Sequence, residues 1–144
     1  MLGKMDIKRC FEERILRKIK PDLEKVKQSV KNAEIKLERA KELFSKDFFN
    51  EALFLAYTSF FHAARSLLYK DGIQEKSHYA TYVYIKEKYF KEIDSKLVES
   101  FRVYQLERHD ILYGFSKEIT KEEANNSILD AEEFIEQIKK ILEI

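Results

Sequence analysis

Residues 51–70 read EALFLAYTSFFHAARSLLYK, and their apolar positions wrap most of a helix. Leu53, Ala56, Phe60, Ala63 and Leu67 step by three and four along one stripe, with Tyr57, Phe61, Ala64 and Leu68 in a second beside it. A helix that is apolar over so much of its circumference belongs at the centre of a bundle, touching several neighbours. Asp71-Gly72 ends it, because glycine accepts the left-handed backbone that a helix terminus commonly needs.

Upstream, Lys46-Asp47-Phe48-Phe49-Asn50 marks a break. Before it, Leu23, Val26, Val30, Ala33, Leu37, Ala40 and Phe44 form an unbroken apolar stripe, with Lys and Glu filling the solvated face. Pro21 suits the first turn of that helix. A shorter amphipathic pattern, Ile7, Phe11, Ile15 and Ile19, precedes it over Met5 to Lys18. Downstream, a loop through Gln74 to Ser77 leads to His78, expected to cap a short aromatic helix over Tyr79 to Phe90. A further helix runs from about Asp94 to Phe115, with Gly114 near its end. Thr120 with Glu123 reads as a capping box for the last helix, whose Ala124, Ile128, Ala131, Ile135, Ile138 and Leu142 again share one face. The reading is all-α: an up-and-down bundle of four main helices with accessory helices, one domain over residues 1–144.

Composition agrees with this architecture. Hydrophobic residues make up 44% of the 144 and charged residues 37%, with three Gly and one Pro, so few positions favour turns. The net charge of +1 argues against a binder driven by bulk positive charge, while leaving room for a local phosphate site. Cys10 is the one cysteine, which fits a reducing compartment, and no apolar run of about 18 residues occurs. The expectation is a cytoplasmic protein with no membrane contact. Three scattered His and one Cys lack ligand spacing, so no metal is expected. Without a Gly-rich phosphate loop, no nucleoside-triphosphate motif or other cofactor is expected either.

The residue that departs from packing logic is Arg108. Leu97, Phe101, Tyr104, Arg108, Ile111 and Phe115 lie on one side of a helix, and only Arg108 carries a charge there. A guanidinium with five donors on such a face must reach water, a carboxylate or a phosphate. It either lines a functional cleft or is held in an ion pair with Glu107, Asp110 or a carboxylate of another helix.

From Glu51 to the C-terminus the chain resembles the HEPN superfamily, and within it small prokaryotic proteins of the UPF0332 type. The matching pieces are Ala52 to Tyr57 continuing through Phe61-His62-Ala63-Ala64-Arg65-Ser66-Leu67-Leu68, the loop Lys76-Ser77-His78, the segment Arg108-His109-Asp110-Ile111-Leu112-Tyr113, and Ala131-Glu132-Glu133-Phe134-Ile135. The HEPN-like part is expected over about residues 45–144, with residues 1–44 as N-terminal helices packed on it. The resemblance implies a homodimer whose Arg motifs meet in a shared cleft, and a minimal nucleotidyltransferase as antitoxin-like partner.

Family members that act as ribonuclease toxins carry Arg followed, after four to six residues, by His. Arg108 matches the Arg. Tyr113 stands where the His is expected, and Phe115 where adenylylated members have Tyr. A tyrosine, with an ordinary pKa of about 10, moves protons poorly near neutral pH. His109, one turn before Tyr113, is the candidate substitute, against the plainer reading of a solvated helix residue. The expected catalytic set is Arg108, His109 and Tyr113, active without metal on RNA. Arg102, Arg65, His62 and Tyr104 are the candidates for RNA or nucleotide binding, although aromatic stripes more often form core and His62 more often orients a neighbour. A non-catalytic nucleotide-binding or protein-interaction bundle is the alternative.

Overall fold

The computed structural model describes residues 5–114 and 118–144. Among them the chain forms α1 (Ile7–Glu12), β1 (Leu16–Lys18), α2 (Leu23–Ser45), α3 (Phe49–Asp71), β2 (Ile73–Glu75), α4 (His78–Lys88), α5 (Ser95–Tyr113) and α6 (Lys121–Leu142). The four long helices are α2, α3, α5 and α6, and α3 lies at the centre, packed against the other three and against α4. The fold is all-α apart from one two-stranded ribbon.

Small residues let α2 and α3 approach closely. Ala33 and Ala40 on α2, and Ala52, Ala56 and Ala63 on α3, are fully or almost fully buried. Ser59 adds a hydrogen bond from its hydroxyl to the Ala33 carbonyl at 2.8 Å. On the opposite side aromatic rings fill the space. Phe60 lies 4.8 Å from Phe134 of α6 and 5.7 Å from Phe101 of α5, centroid to centroid. Such ring pairs add to the burial of apolar area that holds the helices together.

The helix boundaries follow capping chemistry. Thr120 and Glu123 form the expected capping box at the start of α6. Asp22 caps α2 by accepting from the Lys25 N–H at 3.1 Å, so Pro21 stands one residue ahead of the cap rather than in the first turn. Gly72 takes a left-handed backbone (φ 73°) after α3, as its position suggested.

Two further expectations are corrected. The N-terminal pattern is not one helix: α1 stops at Glu12, Arg14 adopts φ 60°, and Leu16–Lys18 continues as a strand. It pairs antiparallel with Ile73–Glu75, in the stretch expected to be loop, with Leu16 opposite Glu75 and Lys18 opposite Ile73. Ile73 and Glu75 turn inward while Gln74 between them is more open, a period of two that a three-residue strand hardly registers in sequence. The second correction concerns His78. Ser77 is the cap of α4, its hydroxyl accepting from the Ala80 N–H at 3.0 Å, which leaves the His78 ring for other work.

Candidate functional site

Helix α5 carries the Arg108 stripe across α3. Leu97 and Phe101 are buried, Tyr104, Arg108 and Ile111 are half-buried, and Phe115 lies outside the described residues. The Arg108 guanidinium rests on two rings of α3, 5.3 Å from the Phe54 centroid and 5.6 Å from that of Tyr57. Among the described residues it has neither an ion pair nor a hydrogen bond, so the expected alternative of pairing with Glu107 or Asp110 is not realised. Cation–π contact of this kind stabilises the cation but leaves its charge uncompensated.

Beneath it runs a chain of polar side chains inside the bundle. Arg102 donates through Nη1 to Gln105 Oε1, Gln105 Nε2 donates to the Tyr57 hydroxyl at 3.1 Å, and that hydroxyl lies 2.6 Å from His78 Nδ1. Tyr57 and Gln105 are buried; His78 is half-buried and stacks on Phe61 at 4.1 Å with the rings 9° apart. Burial pushes the Tyr57 hydroxyl up to about 12, against the opposing pull of the Gln105 hydrogen bond and of Arg108 and Arg102. Burial likewise pushes His78 down to about 4, helped first by the Arg108 charge and then by Arg65 and His62. His78 is therefore neutral at physiological pH.

The other expected residues divide. Arg102 joins this cluster, its guanidinium 4.6 Å from the Tyr79 centroid and free of any ion pair among the described residues. Arg65 is engaged with the buried Glu75, through Nη2 at 2.7 Å and Nε at 2.9 Å to the same oxygen. His62 is half-buried beside Phe61, its pKa lowered by burial and then by Arg65 and Lys36. Tyr104 packs on Phe60 and donates to Asp130 at 2.7 Å, turning its hydroxyl to α6. His109 and Tyr113 are exposed and touch each other, with centroids 4.6 Å apart. Within one copy the structure groups Arg108 with Arg102, and pairs His109 with Tyr113 on the open face of α5.

Sequence reasoning missed His78, Tyr57 and Gln105. Two signals were present: a polar amide on the same face as Phe101 and Arg108, and a tyrosine hydroxyl carried into the core by the most apolar helix. Both needed partners. Among the described residues no group of three His, Cys, Asp or Glu side chains is placed to hold a metal. No helix there is long and apolar enough to cross a membrane.

An all-α bundle is the architecture the sequence resemblance implied, and comparison with known proteins agrees. The model of the HEPN domain matches residues 26–141. A protein of Methanocaldococcus jannaschii named "Putative toxin MJ0605" is 32% identical over 125 residues, covering 83% of this chain and 90% of that protein. A "UPF0332 protein" of Archaeoglobus fulgidus is 28% identical over 120 residues, 81% of this chain and 94% of its own length. A second M. jannaschii protein, "Putative toxin MJ0142", is 29% identical over 125 residues, 85% of this chain and 83% of that protein. The chain belongs to the HEPN-domain family, as a small protein of the UPF0332 type.

Proposed function

We propose that this chain is the toxin-like member of a pair with a minimal nucleotidyltransferase, and that it binds RNA at Arg108 in a cleft between two copies. The observation that carries the reading is the half-buried Arg108 guanidinium, held on two aromatic rings with no carboxylate among the described residues to neutralise it. A phosphodiester is the natural counter-charge for such a group. The names of two relatives support the toxin-like assignment.

The second copy is supported by α5 itself. Val103, Leu106, Leu112 and Tyr113 are each about half exposed or more on the face that also holds His109. Apolar surface gathered along one helix is suited to burial against a partner. In the dimer we propose, a pairing of α5 with α5 would put His109 and Tyr113 in a cleft that the half-buried Arg108 also borders. Metal-free cleavage would then use Arg108 to stabilise negative charge on the non-bridging phosphorane oxygens, while His109 takes the 2′-hydroxyl proton as that oxygen attacks phosphorus and returns it to the departing 5′-oxygen.

The test is cleavage and binding of labelled RNA in chelator by wild type, Arg108→Ala and His109→Ala. Cleavage lost in Arg108→Ala supports the ribonuclease, and growth arrest on expression relieved by the same change supports the toxin role. RNA binding that needs Arg108 without turnover assigns the non-catalytic alternative. Equal behaviour of wild type and Arg108→Ala in all three assays refutes the site.

A further inference from the structure

The orientation of the buried polar chain follows from its one unambiguous end. A guanidinium only donates, so the Gln105 atom facing Arg102 is the amide oxygen, and the amide nitrogen faces Tyr57. The Tyr57 oxygen thus accepts from Gln105. Its own proton has one acceptor available in this fully buried site, His78 Nδ1 at 2.6 Å. A ring nitrogen that accepts carries no proton, so neutral His78 holds its proton on Nε2. That atom has no hydrogen-bond partner among the described residues and is not sealed from solvent.

The place of His78 adds to this. His78 and Arg108 both lie against the Tyr57 ring, at 5.8 Å and 5.6 Å from its centroid, and Arg108 is the charge that weighs most on the imidazole. The Phe61 stack fixes the ring plane. The remaining charged or titratable neighbours are Arg65, which is paired with Glu75, and His62. No carboxylate is among the charges that shift this histidine.

We propose that His78 is a neutral hydrogen-bond donor, set in its Nε2–H form by Arg102 through Gln105 and Tyr57, which grips the same phosphate as Arg108. This rests on the phosphate-binding reading of Arg108 and assigns it a second contact from a different helix. It also excludes His78 as a general base. Its accepting nitrogen is taken by Tyr57, and its other nitrogen already carries a proton. The pairing suits a phosphodiester, which offers two unesterified oxygens, one for a cation and one for a neutral donor.

Two measurements on the whole chain decide the matter. Nitrogen-15 spectra of the histidine side chains report which nitrogen carries the proton. His78 is expected to show the Nε2–H form unchanged between about pH 8 and 5, whereas an ordinary histidine titrates within that range. In Tyr57→Phe, His78 should lose this fixed tautomer and titrate closer to the usual value. The second measurement is affinity for a labelled oligoribonucleotide without terminal phosphates. His78→Phe keeps the stack on Phe61 and removes the donor, and should weaken binding on the order of tenfold. His78→Gln, which offers an amide N–H, should recover most of it. If His78→Phe folds poorly, the double variant with Tyr57→Phe removes the stranded hydroxyl and serves in its place.

A proton on Nδ1, or titration of His78 near the ordinary value, overturns the neutral donor. Full affinity in His78→Phe, alongside loss in Arg108→Ala, overturns the grip on phosphate and leaves the proposed function standing. Full affinity in both variants removes the two together.

Discussion

Tyr57→Phe isolates the energetic weight of the buried chain, because it deletes one oxygen and leaves the ring. The phenyl group keeps its stack on Phe101 at 5.7 Å, so no cavity opens and no apolar contact is lost. What is lost is an acceptor for Gln105 Nε2 and a donor for His78 Nδ1. The two losses are unequal. Gln105 is only 6% exposed, so its amide is stranded away from water at about 1–3 kcal/mol, while the half-buried His78 can recruit water and adds little. The expected destabilisation is about 2 kcal/mol, or a fall in Tm of roughly 4–8 °C for a chain of this size. Urea unfolding followed by circular dichroism measures it. The double variant with Gln105→Leu sharpens the test, since removing both partners strands nothing new except the Arg102 end, which meets solvent. It should be less destabilised than the sum of the single variants. A loss below about 0.5 kcal/mol in Tyr57→Phe, or strict additivity of the pair, would refute the claim that this chain is a coupled buried network.

Two further predictions concern pH and backbone. His78 binds protons at about 4 in the folded chain and at the ordinary 6.5 when unfolded, so between these values the unfolded chain takes up the proton first. Its contribution is therefore absent as a penalty above about pH 6.5 and destabilises increasingly as the pH falls toward 4. The full shift amounts to about 3 kcal/mol, which partial exposure of the ring reduces to about 1–2 kcal/mol. Urea midpoints at about pH 7 and pH 4.5 should converge by that amount in His78→Gln relative to wild type; an identical acid loss in both chains would contradict the assignment. Gly72 and Gly114 both have left-handed backbones, at φ 73° and 71°, but a Cβ on Gly72 would meet the Ile19 carbonyl oxygen at 2.6 Å, whereas one on Gly114 meets nothing within 4 Å. Gly114→Ala should cost about 1 kcal/mol and Gly72→Ala clearly more, because the Ile19 oxygen belongs to the backbone that bonds to Gly72 through the Ile19 N–H. Equal Tm values for the two variants would count against this packing of the ribbon on the end of α3.

The fold was legible because its period is long and repeated. Each of α2, α3 and α6 shows its buried stripe several times over, and the capping box at Thr120 and the glycine at position 72 punctuate it where the sequence suggested. The ribbon was not, since three residues per strand show only one and a half periods, with Arg17, Lys18 and Gln74 at the more open positions. Arg108 was visible because a lone charge on an apolar stripe conflicts with packing. His78 was visible only as a histidine at a helix start, where capping by Ser77 and capping by His78 look alike. Its surroundings depend on Tyr57, twenty-one positions away, and on Gln105 from a third helix. Contacts of that range are made by tertiary packing and carry no local period.

The arginines differ in how their charge is met, which the net charge of +1 does not reveal. Arg65 is compensated by Glu75, which is itself buried and whose other carboxylate oxygen has no partner among the described residues, and the pair ties β2 to α3. Arg102 and Arg108 lean on Tyr79 and on Phe54 and Tyr57 instead. Aromatic faces stabilise a guanidinium by about 0.5–2 kcal/mol without supplying the opposite charge. A carboxylate in either place would strengthen the fold locally and cancel the field. Rings of α3 and α4 in place of acids hold both cations of α5 with their charge uncompensated, and they do so where bulk composition gives no hint of it.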